Sequence, residues 1–316
     1  MAVPEVKEKY AGRIQEVTLG AGSRGKTVAI GGESTLPFLH FEGTVANRPA
    51  IAIEVSDREP DDWSPLLKEA WGDVMGDPAK WAAKAEELGA DVIALSLDSA
   101  HPERGNTGAD DARKTVRKVL EATTLPLIVY GPGQKDKDNE VLVAAAEEAK
   151  GERIAIGNAE EKNYRTIVAA ALANDQVVIA KSPMDVNLAK QLNVLIGDMG
   201  IPKDRIIMDP TTGALGYGVE YSYSVMERVR LAALGGDATL QQPMVLTVGY
   251  EAWRTKEART NDEVPQEWGD WAQRAILWEA NTAITLVNTG ANLLVLRHPQ
   301  SVALVRKAID RLMAGA

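Results

Sequence analysis

The run AIAIEV at residues 50–55 is almost entirely apolar and is followed by the polar pair Ser56-Asp57. Such a run is typical of a parallel strand that is covered by helices on both sides. Seven similar runs follow it, separated by helical stretches: VIALSL (92–97), LIVYG (127–131), RIAIG (153–157), VVIA (177–180), RIIMD (205–209), MVLTV (244–248) and NLLVL (292–296). This alternation predicts an α/β fold, a (β/α)₈ TIM barrel.

The residues before the first barrel strand predict a further small element. VTLG (17–20) and KTVAIGG (26–32) flank a glycine-rich turn, so we expect an N-terminal β-hairpin that plugs the bottom of the barrel. We therefore divide the chain into an N-terminal extension of residues 1–48 and a TIM barrel of residues 49–316.

The turn of this hairpin, GAGSRGKT (20–27), satisfies two phosphate-binding patterns, G-x-x-x-x-G-K-T and G-x-G-x-x-G. Both patterns need a helix directly after the loop, because the N-terminal amides of that helix face the phosphates. The residues that follow include β-branched residues, a Gly-Gly pair and a proline, which favours a strand. We interpret the match as an ordinary hairpin turn.

The composition excludes several classes of function. The 316 residues include no cysteine, which rules out disulfides, thiolate catalysis and any iron–sulfur cluster held by this chain. The net charge of −10 argues against nucleic acid as a partner. His40, His101 and His298 lack the spacing of a zinc-protease motif. No apolar stretch could span a bilayer and no signal peptide is evident, so we expect no membrane partner and a cytoplasmic location.

Function in such barrels lies in the loops that leave the C-terminal strand ends. Lys181 ends the fifth predicted strand, where a desolvated amine could form a Schiff base, as in a class I aldolase. The alternative is a rim cation for a carboxylate or phosphate, or a partner of Asp209 on the next strand end. We favour this alternative, because no second lysine or tyrosine is clearly placed to assist Lys181.

Five acidic residues could gather at the same end of the barrel and hold a divalent cation: Glu54, Asp57, Asp98, Asp209 and Glu251. His298 is the only histidine at a strand end, so this grouping is unspecific, and Asp57 and Asp98 also fit helix caps or turns. DSAHPERG (98–105) misses the D-x-H-x-x-G spacing of proteins that supply a histidine to cobalt. We therefore predict no metal ligand and no cobalt-binding histidine.

All seven tryptophans fall in two long loops or the helices after them. The loops follow strand one (57–76) and strand seven (249–270), and both strands neighbour strand eight in a closed barrel. Tryptophan is enriched at interface hot spots, so this side is a candidate docking face. Trp63 and Trp253 lie in the loops and are the best interface candidates, whereas Trp81, Trp271 and Trp278 are expected to pack against the barrel.

The loop after the sixth strand, DPTTGALGYG (209–218), is rich in small residues. Small side chains allow close approach of a bulky flat ligand or of another backbone. A flexible lid or a simple turn is the alternative interpretation of this composition.

Several of these segments together resemble a known family. The segments are VTLGAG…TVAIGGESTLPF (17–38), NRPAIAIEVSD (47–57), IVYGPG (128–133), IIMDPTTGALGYG (206–218) and LRHP (296–299). The chain resembles the small subunit of the corrinoid iron–sulfur protein, the δ subunit type of the CO dehydrogenase/acetyl-CoA synthase complex. The resemblance covers nearly the whole chain, and IIMDPTTGALGYG is its most specific segment.

The resemblance implies one half of a heterodimeric methyl carrier in the reductive acetyl-CoA (Wood–Ljungdahl) pathway. In that family the larger subunit holds the iron–sulfur cluster and most of the corrinoid, which fits a chain without cysteine. A methyltetrahydrofolate corrinoid methyltransferase donates the methyl group, and acetyl-CoA synthase/CO dehydrogenase receives it. The barrel mouth of the small subunit caps the corrinoid, a cobalamin-type cofactor.

This implied role needs enclosure rather than proton transfer, so we assign no catalytic residue. The residues expected to face the corrinoid are Thr211, Thr212, Gly213, Ala214, Leu215 and Gly216, with Gly131, Pro132 and Asn158 as a second group. Related barrels bind methyltetrahydrofolate at the same face, so a stand-alone pterin-dependent methyltransferase remains an alternative, as does the aldolase that uses Lys181.

Overall fold

The computed structural model describes residues 6–21 and 24–315. Its strands are β1 (Glu16–Leu19), β2 (Val28–Gly31), β3 (Ala50–Ser56), β4 (Val92–Ser96), β5 (Leu127–Tyr130), β6 (Ala155–Ala159), β7 (Val177–Lys181), β8 (Ile206–Asp209), β9 (Met244–Leu246) and β10 (Ala291–Leu296). Strands β3 to β10 form a closed barrel in which β10 pairs with β3. All neighbouring strands in the barrel are parallel. The predicted (β/α)₈ barrel is confirmed.

Helices separate consecutive barrel strands and cover the outside of the sheet. They are α1 (Pro65–Trp71), α2 (Pro78–Glu87), α3 (Ala109–Ala122), α4 (Lys135–Glu148), α5 (Tyr164–Asn174), α6 (Val186–Asp198), α7 (Glu220–Leu234), α8 (Val248–Ala252), α9 (Lys256–Arg259), α10 (Trp271–Val287) and α11 (Pro299–Met313). Short helices α1, α8 and α9 occupy the two long loops that the sequence predicts after the first and seventh barrel strands.

The hairpin of β1 and β2 closes the N-terminal end of the barrel, as predicted. Val17, Leu19 and Ile30 are buried in the same apolar cluster as the residues that fill the barrel interior. Arg153, just before β6, donates from Nε to the carbonyl oxygen of Thr18 at 2.9 Å. Residues 22–23 of the GAGSRGKT turn lie outside the described residues, but β2 follows this turn where a phosphate loop would need a helix.

Two predicted strands differ from the observed ones by two residues in their bounds, and the other barrel strands differ by one. The run RIAIG (153–157) was expected to begin a strand at Arg153, but β6 begins at Ala155, because Arg153 has a positive φ of 48° and its side chain bonds the hairpin. The run MVLTV (244–248) was expected to end a strand at Val248. Strand β9 instead ends at Leu246, and α8 begins at Val248.

The tryptophans do not form an exposed docking face, so that prediction is wrong. Trp63 is 7% exposed and Trp253 is 4% exposed. Trp63 meets Trp81 edge-on with ring centres 5.4 Å apart, and Trp71 lies 5.6 Å from Trp81. The indole rings hold the long loops against the barrel, because a large apolar surface gains most when it is removed from water.

Candidate functional site

The C-terminal ends of the barrel strands surround an open cavity of about 370 Å³, which we call the mouth cavity. Alternate residues of a strand point into the barrel, and the lower inward positions, such as Ile128, Ile179 and Ile207, are apolar. The last inward position of most strands is polar. These residues line the cavity: Glu54, Ser96, Tyr130, Lys181, Asp209, Thr247 and Arg297.

On one side of the mouth cavity, four neighbouring strand ends contribute Tyr130, Asn158, Lys181 and Asp209, which we call the polar quadrant. Lys181 and Asp209 are direct partners in the pairing of β7 with β8. Lys181 Nζ lies 3.8 Å from Glu160 Oε1 at the rim. The sequence did not clearly place a second lysine or tyrosine to assist Lys181, but Tyr130 lines the same cavity in the structure.

Burial changes the acidity of the groups in the polar quadrant. Asp209 is 1% exposed, and burial raises the pKa of its carboxyl to about 6, although Lys181 and the N–H of Thr211 favour the charged form. Burial also raises the pKa of the Tyr130 phenol well above its usual value, and the charges of Asp209 and Glu54 add to this. Tyr130 is therefore a neutral hydroxyl at ordinary pH, able to donate and accept.

A buried carboxylate holds the loop after β5 in place. Asp138 on α4 accepts the backbone N–H of Gly133 at 2.9 Å, and burial raises its pKa to about 6. A Cβ on Gly131 would lie 2.2 Å from Asp138 Oδ1, so only glycine allows this close packing. Two of the three residues in the loop Gly131-Pro132-Gly133 therefore line the mouth cavity without a side chain.

The opposite side of the mouth cavity carries paired charges. Arg297 forms two hydrogen bonds to the carboxylate of Glu54, at 2.7 and 2.9 Å. Asp98 is ion-paired with Arg58 and with Arg104. These pairs leave the carboxylates of that side without free charge for a cation.

The five acidic residues considered for a metal site separate in the structure. Glu54, Asp98 and Asp209 line the mouth cavity, while Asp57 and Glu251 do not. Asp57 accepts the N–H of Ser99 at 2.8 Å, which is the turn role expected of it. Across residues 6–21 and 24–315, no group of three or more histidine, aspartate or glutamate side chains is arranged to hold a metal ion.

A family model described as CO dehydrogenase/acetyl-CoA synthase delta subunit matches residues 16–308. The chain belongs to this family. The acetyl-CoA decarbonylase/synthase complex subunit delta of Archaeoglobus fulgidus is 40% identical, over 97% of this chain and 70% of that protein. The subunit delta of Methanopyrus kandleri is 39% identical, over 96% of this chain and 76% of that protein.

Solved structures of similar shape include dihydropteroate synthases. The Xanthomonas albilineans enzyme with 4-aminobenzoic acid has a TM-score of 0.58 at 18% identity, over 84% of this chain and 93% of that one. Its complex with 7,8-dihydropteroate has a TM-score of 0.59 at 16% identity, over 89% of this chain and 98% of that one. At such identities the likeness concerns the barrel fold.

The structure divides the nine residues that the family resemblance selects. Gly131, Pro132 and Asn158 line the mouth cavity. Residues 211–216 follow Asp209 at the same end of the barrel but do not line that cavity. Ser222 of α7 holds this loop by accepting the N–H of Gly213 at 3.1 Å, and Thr212 and Leu215 are buried.

Sequence reasoning missed Tyr130, Ser96, Thr247 and the role of Arg297. Each occupies the last inward position of its strand or the one directly after it. The signal was available, because counting alternate residues upward from the apolar inward positions reaches each of them.

The helices among the described residues include none that is long and apolar enough to cross a membrane.

Proposed function

We propose that this chain is the small subunit of a heterodimeric corrinoid iron–sulfur methyl carrier of the reductive acetyl-CoA pathway. Its barrel mouth covers one face of a corrinoid that a larger, cysteine-bearing subunit holds on the other face. The partners are that large subunit, a methyltetrahydrofolate corrinoid methyltransferase, which supplies the methyl group, and acetyl-CoA synthase/CO dehydrogenase, which receives it. The iron–sulfur cluster belongs to the large subunit.

The observation that carries this proposal is the open mouth cavity in a member of the δ subunit family. Its volume of about 370 Å³ is at the lower end of the range for ligands of drug size. A corrin ring with its side chains is much larger, so this mouth suits a cover over one face and leaves the other face to a partner.

Exposed residues at the rim of the mouth cavity also support the proposal that a partner covers it. Met184, Tyr217 and Tyr221 follow the ends of β7 and β8, and Tyr250 follows β9. All four are large and exposed, with Tyr217 86% exposed. Exposed aromatic side chains around a concave site are typical of surfaces that are covered in an assembly.

The residues present fit a corrinoid whose cobalt takes no ligand from this chain. Tyr130 and Asn158 offer polar atoms without partners in the described chain, and Gly131 and Pro132 offer a small, flat wall. His101 also lines the mouth cavity, but its Nδ1 accepts the N–H of Glu103 and its Nε2 lies 3.4 Å from Gln134 Nε2. When bound, the corrinoid supplies a cobalt centre that accepts and releases a methyl group.

This chain's own contribution is to orient the ring and to exclude water from the reacting face. Thr211, Thr212, Gly213, Ala214, Leu215 and Gly216 lie beside the mouth cavity and are proposed to contact the ring edge or the partner, with Gly131, Pro132 and Asn158 beneath it. No proton transfer by these residues is needed.

The test is the visible spectrum of the chain made with and without its large subunit. The chain alone should be colourless or bind corrinoid weakly, because it forms only one wall of the site. Co-purification with the large subunit should restore a corrinoid spectrum at one per heterodimer. Tightly held, stoichiometric corrinoid on the isolated chain would contradict the shared site.

A further inference from the structure

The polar quadrant contains hydrogen-bonding capacity that the protein does not use. The Tyr130 hydroxyl and Asn158 Oδ1 are both buried and have no hydrogen-bond partner among the described residues. The Tyr130 side chain is nine-tenths buried, at 9% exposed, and it lines the mouth cavity. Buried polar atoms in native proteins are almost always satisfied, so these two atoms point to a ligand.

Among the described residues that line the mouth, the buried side-chain atoms without a hydrogen-bond partner both lie on this side. On the opposite side, Glu54 binds Arg297, and Asp98 binds Arg58 and Arg104. A ligand that entered the mouth would therefore find free hydrogen-bonding groups at the polar quadrant.

The chemistry of the four residues selects the ligand group. Lys181 donates only, the Asp209 carboxylate and Asn158 Oδ1 accept, and the Tyr130 hydroxyl does both. Donors and acceptors placed together suit a group with a carbonyl oxygen next to an N–H. An anionic group would meet the buried Asp209 and the nearby Glu160, and a cationic group would meet Lys181, so a neutral group fits best.

We propose that the polar quadrant binds a neutral amide of the ligand, with Asp209 and Asn158 accepting its N–H groups and Tyr130 donating to its carbonyl oxygen. This inference rests on the proposed function, under which the amide is a carboxamide side chain at the corrin edge. A cyclic amide of a reduced pterin has the same chemistry, and the experiment distinguishes the two sources.

The experiment measures the dissociation constant of the two-subunit protein for cobinamide, a corrinoid with intact ring carboxamides. Tyr130→Phe and Asn158→Ala should each weaken binding about five- to tenfold, the usual effect of losing one hydrogen bond. Tyr130→Phe should leave the thermal midpoint of the chain unchanged or higher, because it removes a buried hydroxyl without a partner. A merely structural tyrosine would change the midpoint and not the affinity.

Tyr164→Phe is the matched control. Tyr164 is also buried, at 7% exposed, but it lies at the start of α5 outside the mouth cavity, and Arg165 Nε donates to its hydroxyl at 3.2 Å. This variant should lower the thermal midpoint slightly and leave cobinamide affinity unchanged. Cobyrinic acid, whose ring side chains are carboxylates, serves as the ligand control. At high salt, the wild type should bind it more weakly than it binds cobinamide. The dissociation constant for cobyrinic acid should be the same in the wild type and in Tyr130→Phe.

The outcomes separate the two proposals. Unchanged affinity of both variants for cobinamide and for methyltetrahydrofolate would overturn the amide site while leaving the corrinoid carrier intact. Weaker binding of methyltetrahydrofolate in the variants, with cobinamide affinity unchanged, would assign the amide to a pterin and overturn the corrin assignment. A wild-type heterodimer that holds no corrinoid would overturn the proposed function, and the corrin amide site with it.

Discussion

Arg297 forms a two-pronged ion pair with Glu54, in which Nε lies 2.7 Å from Oε2 and Nη2 lies 2.9 Å from Oε1. The pair joins the end of the last barrel strand to the first, so it closes the barrel seam at the mouth. The guanidinium also lies 4.5 Å from the ring centre of Trp63. One side chain thus couples the seam to the long loop after β3.

This geometry predicts strong coupling between Arg297 and Glu54. Arg297→Met should lower the free energy of unfolding by about 3 kcal/mol, because it leaves a partly buried carboxylate unpaired. The double variant Arg297→Met/Glu54→Leu should be less destabilised than Arg297→Met alone, as measured by urea unfolding. Strictly additive losses would contradict this. As a control, Arg48→Met removes a half-exposed guanidinium and leaves Asp91 paired with Arg306, so it should cost less than about 1 kcal/mol.

Asp209 makes stability depend on pH in the acid range. Its pKa is about 6 in the folded chain and lies at its ordinary, lower value when unfolded, so the folded state binds more protons between about pH 4 and 6. Stability from this group therefore falls as the pH rises through that range. Asp209→Asn, which keeps an oxygen for the N–H of Thr211, should be about 2–3 kcal/mol more stable than wild type at pH 7.

The stability gained by Asp209→Asn should vanish below about pH 4, where the wild-type carboxyl is neutral in the folded and in the unfolded chain. Asp262→Asn, an equal change of charge at an exposed position, should shift stability by less than about 0.5 kcal/mol at either pH. Chemical denaturation at a series of pH values checks both. A gain that persists unchanged to pH 3 would show that Asp209 is charged at neutral pH without cost.

His298 acts in the opposite direction. It is the N-cap of α11, where Nδ1 accepts the N–H of Gln300, and burial lowers the pKa of its imidazole to about 4. The unfolded chain binds more protons between about pH 6.5 and 4, so the stability from this group is lost as the pH falls through that range. His298→Asn keeps a good N-cap residue that does not titrate in this range. On acidification, its free energy of unfolding should fall less than that of the wild type, and the difference should be about 3 kcal/mol at most. The same dependence of unfolding free energy on pH in the wild type and in His298→Asn would contradict this.

Gly216 offers a direct steric test of the loop after β8. It is exposed, and a Cβ there would meet nothing within 4 Å, so Gly216→Trp should fold normally. If the loop contacts the ring edge or the partner, methyl transfer by the assembled heterodimer should fall at least tenfold. Gly197→Trp, on an equally open glycine of α6 near the other end of the barrel, should leave transfer unchanged. Normal transfer in both variants would remove this loop from the site.

Gly213 is a poorer choice for the same test. A Cβ there would lie 3.4 Å from Met184 Cε, and the residue is buried. A large side chain at this position would disturb packing and confuse a folding defect with a loss of function.

Lys181 should not act as a Schiff-base nucleophile. Its Nζ faces Glu160 at 3.8 Å, and Lys181 is the pairing partner of Asp209, an arrangement that suits a fixed cation at the mouth. Borohydride treatment with a panel of small keto compounds should therefore give no covalent adduct by mass spectrometry. A specific adduct at Lys181, absent from Lys181→Met, would favour the aldolase interpretation instead.

Much of the candidate site was within reach of the sequence. Gly131, Pro132, Asn158, Lys181 and Asp209 follow or end predicted strands, and the structure places all of them at the mouth cavity. Tyr130 was missed because it ends an apolar run, where an aromatic residue is easily taken for core. Only the alternation of side chains along β5 shows that it points inward at the level of the mouth.

The sequence by itself determined the barrel, because eight apolar runs separated by helical stretches can bury both faces of their strands in no simpler way. It could not determine which polar groups at the mouth pair with one another, or that Trp63 and Trp253 are buried. Those outcomes depend on barrel closure, which brings the ends of β10 and β3 together, and on loops that fold back to cover large apolar rings. Contacts between residues far apart in the chain are set by tertiary packing, which local periodicity does not encode.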